Sequence, residues 1–149
     1  MRDALIPVLL AALVLPGLTI GAGGALAQTA PAFAAAGTDA AQVAAFLKSL
    51  QAAVALGNRT KVATLVHFPL TAWIDGEETV LNSESEFQAR YSRIFDADVK
   101  RAIAEAKVDT LLADQQGIRL DNGRVRFRPL PEHKNTLRIV AFNETSQTK

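Results

Sequence analysis

Apolar residues recur at spacings of three and four from Val43 through Phe46, Leu47, Leu50 and Ala53 to Val54, the stripe of an amphipathic helix of about four turns. Thr38 or Asp39 opens this helix, and Gly57 ends it as a left-handed C-terminal cap. Asn58 or Thr60 then caps a shorter helix carrying Val62, Leu65 and Val66, which Pro69 stops. From there the period changes to two. Residues 70–74 and 77–81 read as extended runs around Asp75-Gly76, a dipeptide suited to a type I′ turn, and so predict a hairpin. Ser83 and Glu86 have capping-box spacing ahead of the stripe Phe87, Tyr91, Ile94 and Phe95. Asp96 caps a further helix with Val99, Ala102, Ile103 and Ala106. Strands are expected over 108–112, 118–120, 124–128 and 137–142, with Asn122-Gly123 as a two-residue turn between the middle pair.

The resulting order is helices, a hairpin, helices, then a meander. Without βαβ alternation this predicts an α+β domain over residues 38–143, its helices packed on one face of a curved antiparallel sheet.

The chain starts differently. After Arg2 and Asp3 no charge occurs until Asp39, and residues 4–27 are almost wholly apolar or small. An apolar run to Ile20, the loosening glycines Gly21, Gly23 and Gly24, and Ala25-Leu26-Ala27 before Gln28 predict a signal peptide cleaved after Ala27. An uncleaved membrane helix is the competing reading, and Pro7, Pro16 and Gly17 weaken it. Cleavage leaves no stable membrane anchor. Residues 28–37 are expected to form a flexible lead-in and 144–149 a frayed tail.

Composition narrows the chemistry. The 149 residues contain no cysteine, which excludes a disulfide scaffold, a thiolate metal site and a Cys nucleophile. Export without cysteine points to a bacterial periplasm rather than a disulfide-rich secretory route. Two histidines exclude a three-His zinc site. No Gly-rich phosphate loop, nucleophile elbow or H-E-x-x-H pattern is present, so neither a cofactor nor a metal is expected. A net charge of +1 argues against nucleic acid as a partner.

The runs Val43-Ala44-Ala45-Phe46-Leu47 with Leu50, Val62 to Leu70, Phe87 with Tyr91, Ile94 and Phe95, and Asp121 to Phe127 resemble the nuclear transport factor 2-like superfamily. The resemblance covers about residues 39 to 143. It implies a cone-shaped α+β fold, shared with polyketide cyclase-like and ketosteroid isomerase-like proteins and with small exported bacterial proteins. Enzymatic members place an Asp base opposite a Tyr and a second acid in the cone; no such triad maps onto this chain. Because this fold often pairs through its sheet, the resemblance also allows a homodimer or an oligomer-forming structural protein.

Several residues are candidates for chemistry. His67, between Val66 and Phe68, can serve as a general base only with a carboxylate or hydroxyl partner within about 3 Å, for which Asp75, Tyr91 and Asp109 are available. Otherwise it is a structural histidine. Trp73 and Tyr91, the only indole and phenol, either line the cone with His67 as ligand-binding residues or pack in the core. His133 falls in a polar loop. The arginine strands are the most informative. Pairing across Asn122-Gly123 sets Arg119 opposite Arg126, sends Ile118, Leu120, Val125 and Phe127 toward the helices, and sends Arg119, Arg124, Arg126 and Arg128 to the other face. Such a face either binds an anion or an acidic protein, or is solvated and met by Glu77, Glu78 or Glu144. The leading expectation is therefore a non-catalytic periplasmic binding module for a small molecule or a protein. An isomerase- or cyclase-like enzyme using His67, Tyr91 and Asp75 is the alternative.

Overall fold

The computed structural model describes residues 33–143. The expected signal segment 1–27, the start of the lead-in and the tail 144–149 lie outside the described residues. Helix α1 (Ala40–Ala55) begins where the Asp39 carboxylate accepts the Gln42 N–H at 2.8 Å. It ends on Gly57 at φ 63°, with the Gly57 N–H donating to the Val54 carbonyl and the Asn58 N–H to the Ala53 carbonyl, the paired bonds of a Schellman cap. Asn58 caps α2 (Arg59–Ala63). Strands β1 (Val66–Ile74) and β2 (Glu77–Leu81) form the expected hairpin, with Asp75 and Gly76 at positive φ. Ser83 caps α3 (Glu84–Ile94), and the Glu86 carboxylate accepts the Asn82 N–H at 2.8 Å. Asp96 caps α4 (Ala97–Glu105), whose carbonyl end accepts hydrogen bonds from the Gln51 amide of α1. The meander follows as β3 (Leu112–Asp114), β4 (Gly117–Leu120), β5 (Val125–Leu130) and β6 (Thr136–Phe142).

The fold is α+β, with helices packed on one face of a six-stranded sheet in the order β2-β1-β6-β5-β4-β3. Its sheet is mixed, not wholly antiparallel as expected: β6 returns to the middle of the sheet and pairs parallel with β1. The three reversals from β3 to β6 bring the chain back in the direction of β1 after an excursion through both later helices. No local pattern announces that pairing, because the two strands are far apart in sequence.

Three other expectations change. The second helix ends at Ala63, and β1 starts at Val66, four residues before the expected strand. Pro69 therefore stops no helix. It lies in β1 where the register to β6 shifts between Val66 and Thr71, a position that tolerates a missing N–H. Residues 108–110 form a single helical turn and the strand follows it. Phe33 is fully buried in the core, so the described end of the lead-in, residues 33–37, contributes to packing rather than trailing free.

The space between helices and sheet is filled by stacked rings. Phe46 of α1 lies on Phe127 of β5 at 4.8 Å between centroids. Tyr91 stacks on Phe95 at 4.5 Å, and Phe95 meets Phe142 edge-on at 5.1 Å. These contacts pack α3 against the middle of the sheet. Among the described residues no helix is long and apolar enough to cross a membrane.

Candidate functional site

Alternation along β4 and β5 sorts their side chains by face. Ile118, Leu120, Val125 and Phe127 are buried against the helices. Arg119 is paired with Arg126 across the two strands, in the expected register. The turn that sets this register is longer than the expected two residues. Asp121, Asn122 and Gly123 all have positive φ, and the Arg124 N–H closes on the Asp121 carbonyl at 3.0 Å. Both turns share one centre, so the pairing is the same.

Arg124 consequently belongs to the turn. It pairs with Asp121 at 3.5 Å and lines a cleft at the end of the sheet rather than the open face. Its place among the arginines is taken by Arg138 of β6, which stands opposite Arg128. Alternation around the buried Leu137 and Ile139 would have put Arg138 outward; what the sequence lacked was the partner strand.

Two directly opposed arginine pairs thus occupy neighbouring rungs of the uncovered face. The row through the first pair runs Leu112, Arg119, Arg126, Ala141, Thr71, Val80 across all six strands and contains no acid. Glu77 and Glu78 lie on edge strand β2, two strand spacings or about 10 Å from β6 and three from β5, and make no ion pair with these arginines, while Glu144 lies outside the described residues. Arg119 reaches Asp114 at 3.2 Å, and Arg126 reaches only the neutral Gln116 amide oxygen at 3.3 Å. Among the described residues neither Arg128 nor Arg138 pairs with a carboxylate. The Nε–H groups of Arg119, Arg126 and Arg138 are buried, with no acceptor among the described residues. The opposed like charges favour an oxyanion over this face, since a guanidinium holds a carboxylate or phosphate through parallel hydrogen bonds.

The other candidates do not converge. His67 and Asp75 stand at opposite ends of β1, roughly 25 Å apart along an extended strand. Asp75 is paired with Arg93 at 2.6 Å. His67 has Glu132 at 4.0 Å and the His133 ring edge-on at 5.7 Å, neighbours supplied by the turn before β6 and invisible without knowledge of the β1–β6 pairing. Tyr91 is buried in the aromatic stack, its hydroxyl without a partner and the Arg59 guanidinium over its ring at 5.3 Å. Burial pushes the phenol above its ordinary pKa, and the Arg59 charge offsets part of that rise. Trp73 is partly exposed on the sheet's outer face, opposite Glu78, rather than inside with Tyr91. Asp109 is exposed in the helical turn before β3. Among the described residues no group of three or more His, Asp or Glu side chains can hold a metal ion.

No protein-family model, curated protein or solved structure matches this chain.

Proposed function

We propose that the protein is an exported, non-catalytic binding module of the nuclear transport factor 2-like type that docks an acidic protein segment on its arginine face. The observation that carries this reading is the pair of opposed rungs, Arg119 with Arg126 and Arg128 with Arg138, served by one carboxylate among the described residues. Successive rungs on one face are about 7 Å apart. That spacing suits carboxylates at alternate positions of an extended acidic segment. A sheet face left uncovered by helices also fits a macromolecular surface better than a small ligand, which takes a concave site. The succession of helices, hairpin, helices and meander supports the superfamily reading. The signal-like pattern of residues 4–27 supports export.

Titration with an alternating Glu-Thr peptide and, separately, with inorganic phosphate, followed by amide chemical shifts, tests the reading. Shifts for the peptide centred on β4, β5 and β6, weakened by salt and abolished in the Arg119→Ala/Arg126→Ala variant, are expected. Phosphate alone shifting these residues would replace the protein partner with a small oxyanion. Identical peptide binding by the double variant would overturn the proposal.

A further inference from the structure

A second site lies where the tips of the two hairpins and the junction of α3 and α4 meet at one end of the sheet. The cleft there has a volume of about 250 Å³, and its polar wall is made by Trp73, Asp75, Arg93, Asp96, Arg124 and Asn143. Ile94, Val99 and Phe142, all buried, form its apolar floor. Each wall residue arrives by a different local rule. Trp73 is the last outward position of β1 before the turn, and Asp75 occupies the left-handed turn position that Asp tolerates. Asp96 is fixed as the cap of α4, its Oδ1 accepting the Val99 N–H at 2.8 Å. Asn143 follows β6 and is held by its side-chain amide donating to the Gly123 carbonyl at 2.8 Å.

The charges of this wall cancel: Asp75 and Asp96 against Arg93 and Arg124. Unlike most of those on the arginine face, these arginines are met by carboxylates at close range, Arg93 by Asp75 at 2.6 Å and Arg124 by Asp121 at 3.5 Å. The cleft offers carboxylate acceptors and guanidinium and amide donors side by side, next to one large apolar plate. The indole is the only one in the chain, and it is 37% exposed. A ligand that matches must present a C–H face to the indole and hydroxyls that both donate and accept. The volume is below the ordinary range of drug-sized sites, so the ligand is small.

We propose that this cleft binds a neutral saccharide of one or two rings, seated on Trp73 with its hydroxyls toward Asp75, Asp96 and Arg93. This site is independent of the arginine face and stands whether or not an acidic segment docks there.

A single tryptophan gives a single indole N–H resonance, which reports the cleft directly. The purified protein is titrated with glucose, galactose, N-acetylglucosamine and maltose, with glycine betaine and glutamate as charged comparators. Saturable millimolar shifts of the indole N–H and the Asn143 side-chain amide with at least one neutral sugar are expected. Trp73→Ala, read at the Asn143 amide, should weaken binding at least roughly tenfold. Trp73→Phe keeps a ring on the strand, serves if the alanine variant fails to fold, and should retain part of the affinity. Shifts produced only by betaine or glutamate would overturn the saccharide assignment, and so would an indole resonance that no sugar moves. Undiminished sugar binding in folded Trp73→Ala would remove the cleft from the proposal.

Discussion

Arg119 and Arg126 face each other across β4 and β5, and among the described residues only Arg119 has a carboxylate, Asp114, within reach. Two guanidinium groups opposed on one rung repel, by a few tenths of a kcal/mol in an exposed sheet. Arg126→Thr removes the repulsion, leaves the Arg119–Asp114 pair intact and puts a good strand former on β5. The variant is expected to be more stable than the parent by about 0.3–0.5 kcal/mol at low salt, with the gain shrinking as salt screens the pair. Urea denaturation at two ionic strengths checks this. A loss of stability at low salt would show that the rung is held by attractive contacts instead.

That rung depends on a glycine. Gly117 opens β4 at φ +125°, and a Cβ there would lie 2.7 Å from the Phe127 carbonyl oxygen and 3.0 Å from the Arg128 Cβ. The neighbour is strand backbone, which cannot swing aside. Gly117→Ala is expected to cost about 2–3 kcal/mol through strain and clash, read as a lowered urea midpoint. It should also broaden the amide resonances of β4 and β5 selectively, because the pairing of those strands must adjust.

Local rules made much of this architecture legible in advance. Asp39, Asn58, Ser83 and Asp96 each cap a helix, and Asp75-Gly76 turns a hairpin. The sorting of Ile118, Arg119, Leu120, Val125, Arg126 and Phe127 by face also followed, because strand alternation and a turn centre suffice to fix it. What escaped depends on contacts distant in sequence. The parallel pairing of β1 with β6 made the sheet mixed, put Glu132 and His133 beside His67, and set Arg138 opposite Arg128. Burial of Phe33 likewise depends on a core assembled from later segments. Trp73 was misplaced for a smaller reason: alternation from the buried Leu70, Ala72 and Ile74 sends it outward, away from Tyr91.

Gln51 ties the first helix to the last. Its Nε2 donates to the Ile103 and Ala106 carbonyls, both at 2.9 Å, at the helix end where carbonyls lack full intrahelical partners; the Ile103 carbonyl also accepts the Ala106 N–H at 3.3 Å. Gln51→Leu keeps the volume and removes the donor, and is expected to destabilise by about 1–2 kcal/mol. Gln51→Glu should be worse at neutral pH, because a carboxylate then faces two carbonyls. Its deficit should shrink as pH falls through the carboxyl range and the side chain regains a proton to donate. Denaturation midpoints of the two variants at neutral and acidic pH test this. A glutamate variant as stable as the parent at neutral pH would mean that the bonds contribute nothing.

Tyr91 makes the fold sensitive to alkali. Its hydroxyl is buried without a hydrogen-bond partner, and burial raises its pKa above the ordinary phenol value, with Arg59 opposing in part. Above about pH 10 the unfolded chain releases the phenolic proton while the folded chain keeps it, so unfolding is favoured progressively. The stability contributed by keeping the phenol neutral is complete below the unfolded pKa and disappears as pH rises through the higher, folded one. Tyr91→Phe keeps the stacked ring on Phe95 and removes both the unmet donor and the titration. It is expected to equal or exceed the parent by about 1 kcal/mol at neutral pH and to hold its stability at alkaline pH, where the parent declines. Tyr91 is the only tyrosine in the chain, so phenolate absorbance follows its ionisation alone and should rise together with the unfolding signal. Absorbance that rises well before the fold is lost would show a phenol in contact with solvent, and equal alkaline decline in both proteins would assign the sensitivity to other groups.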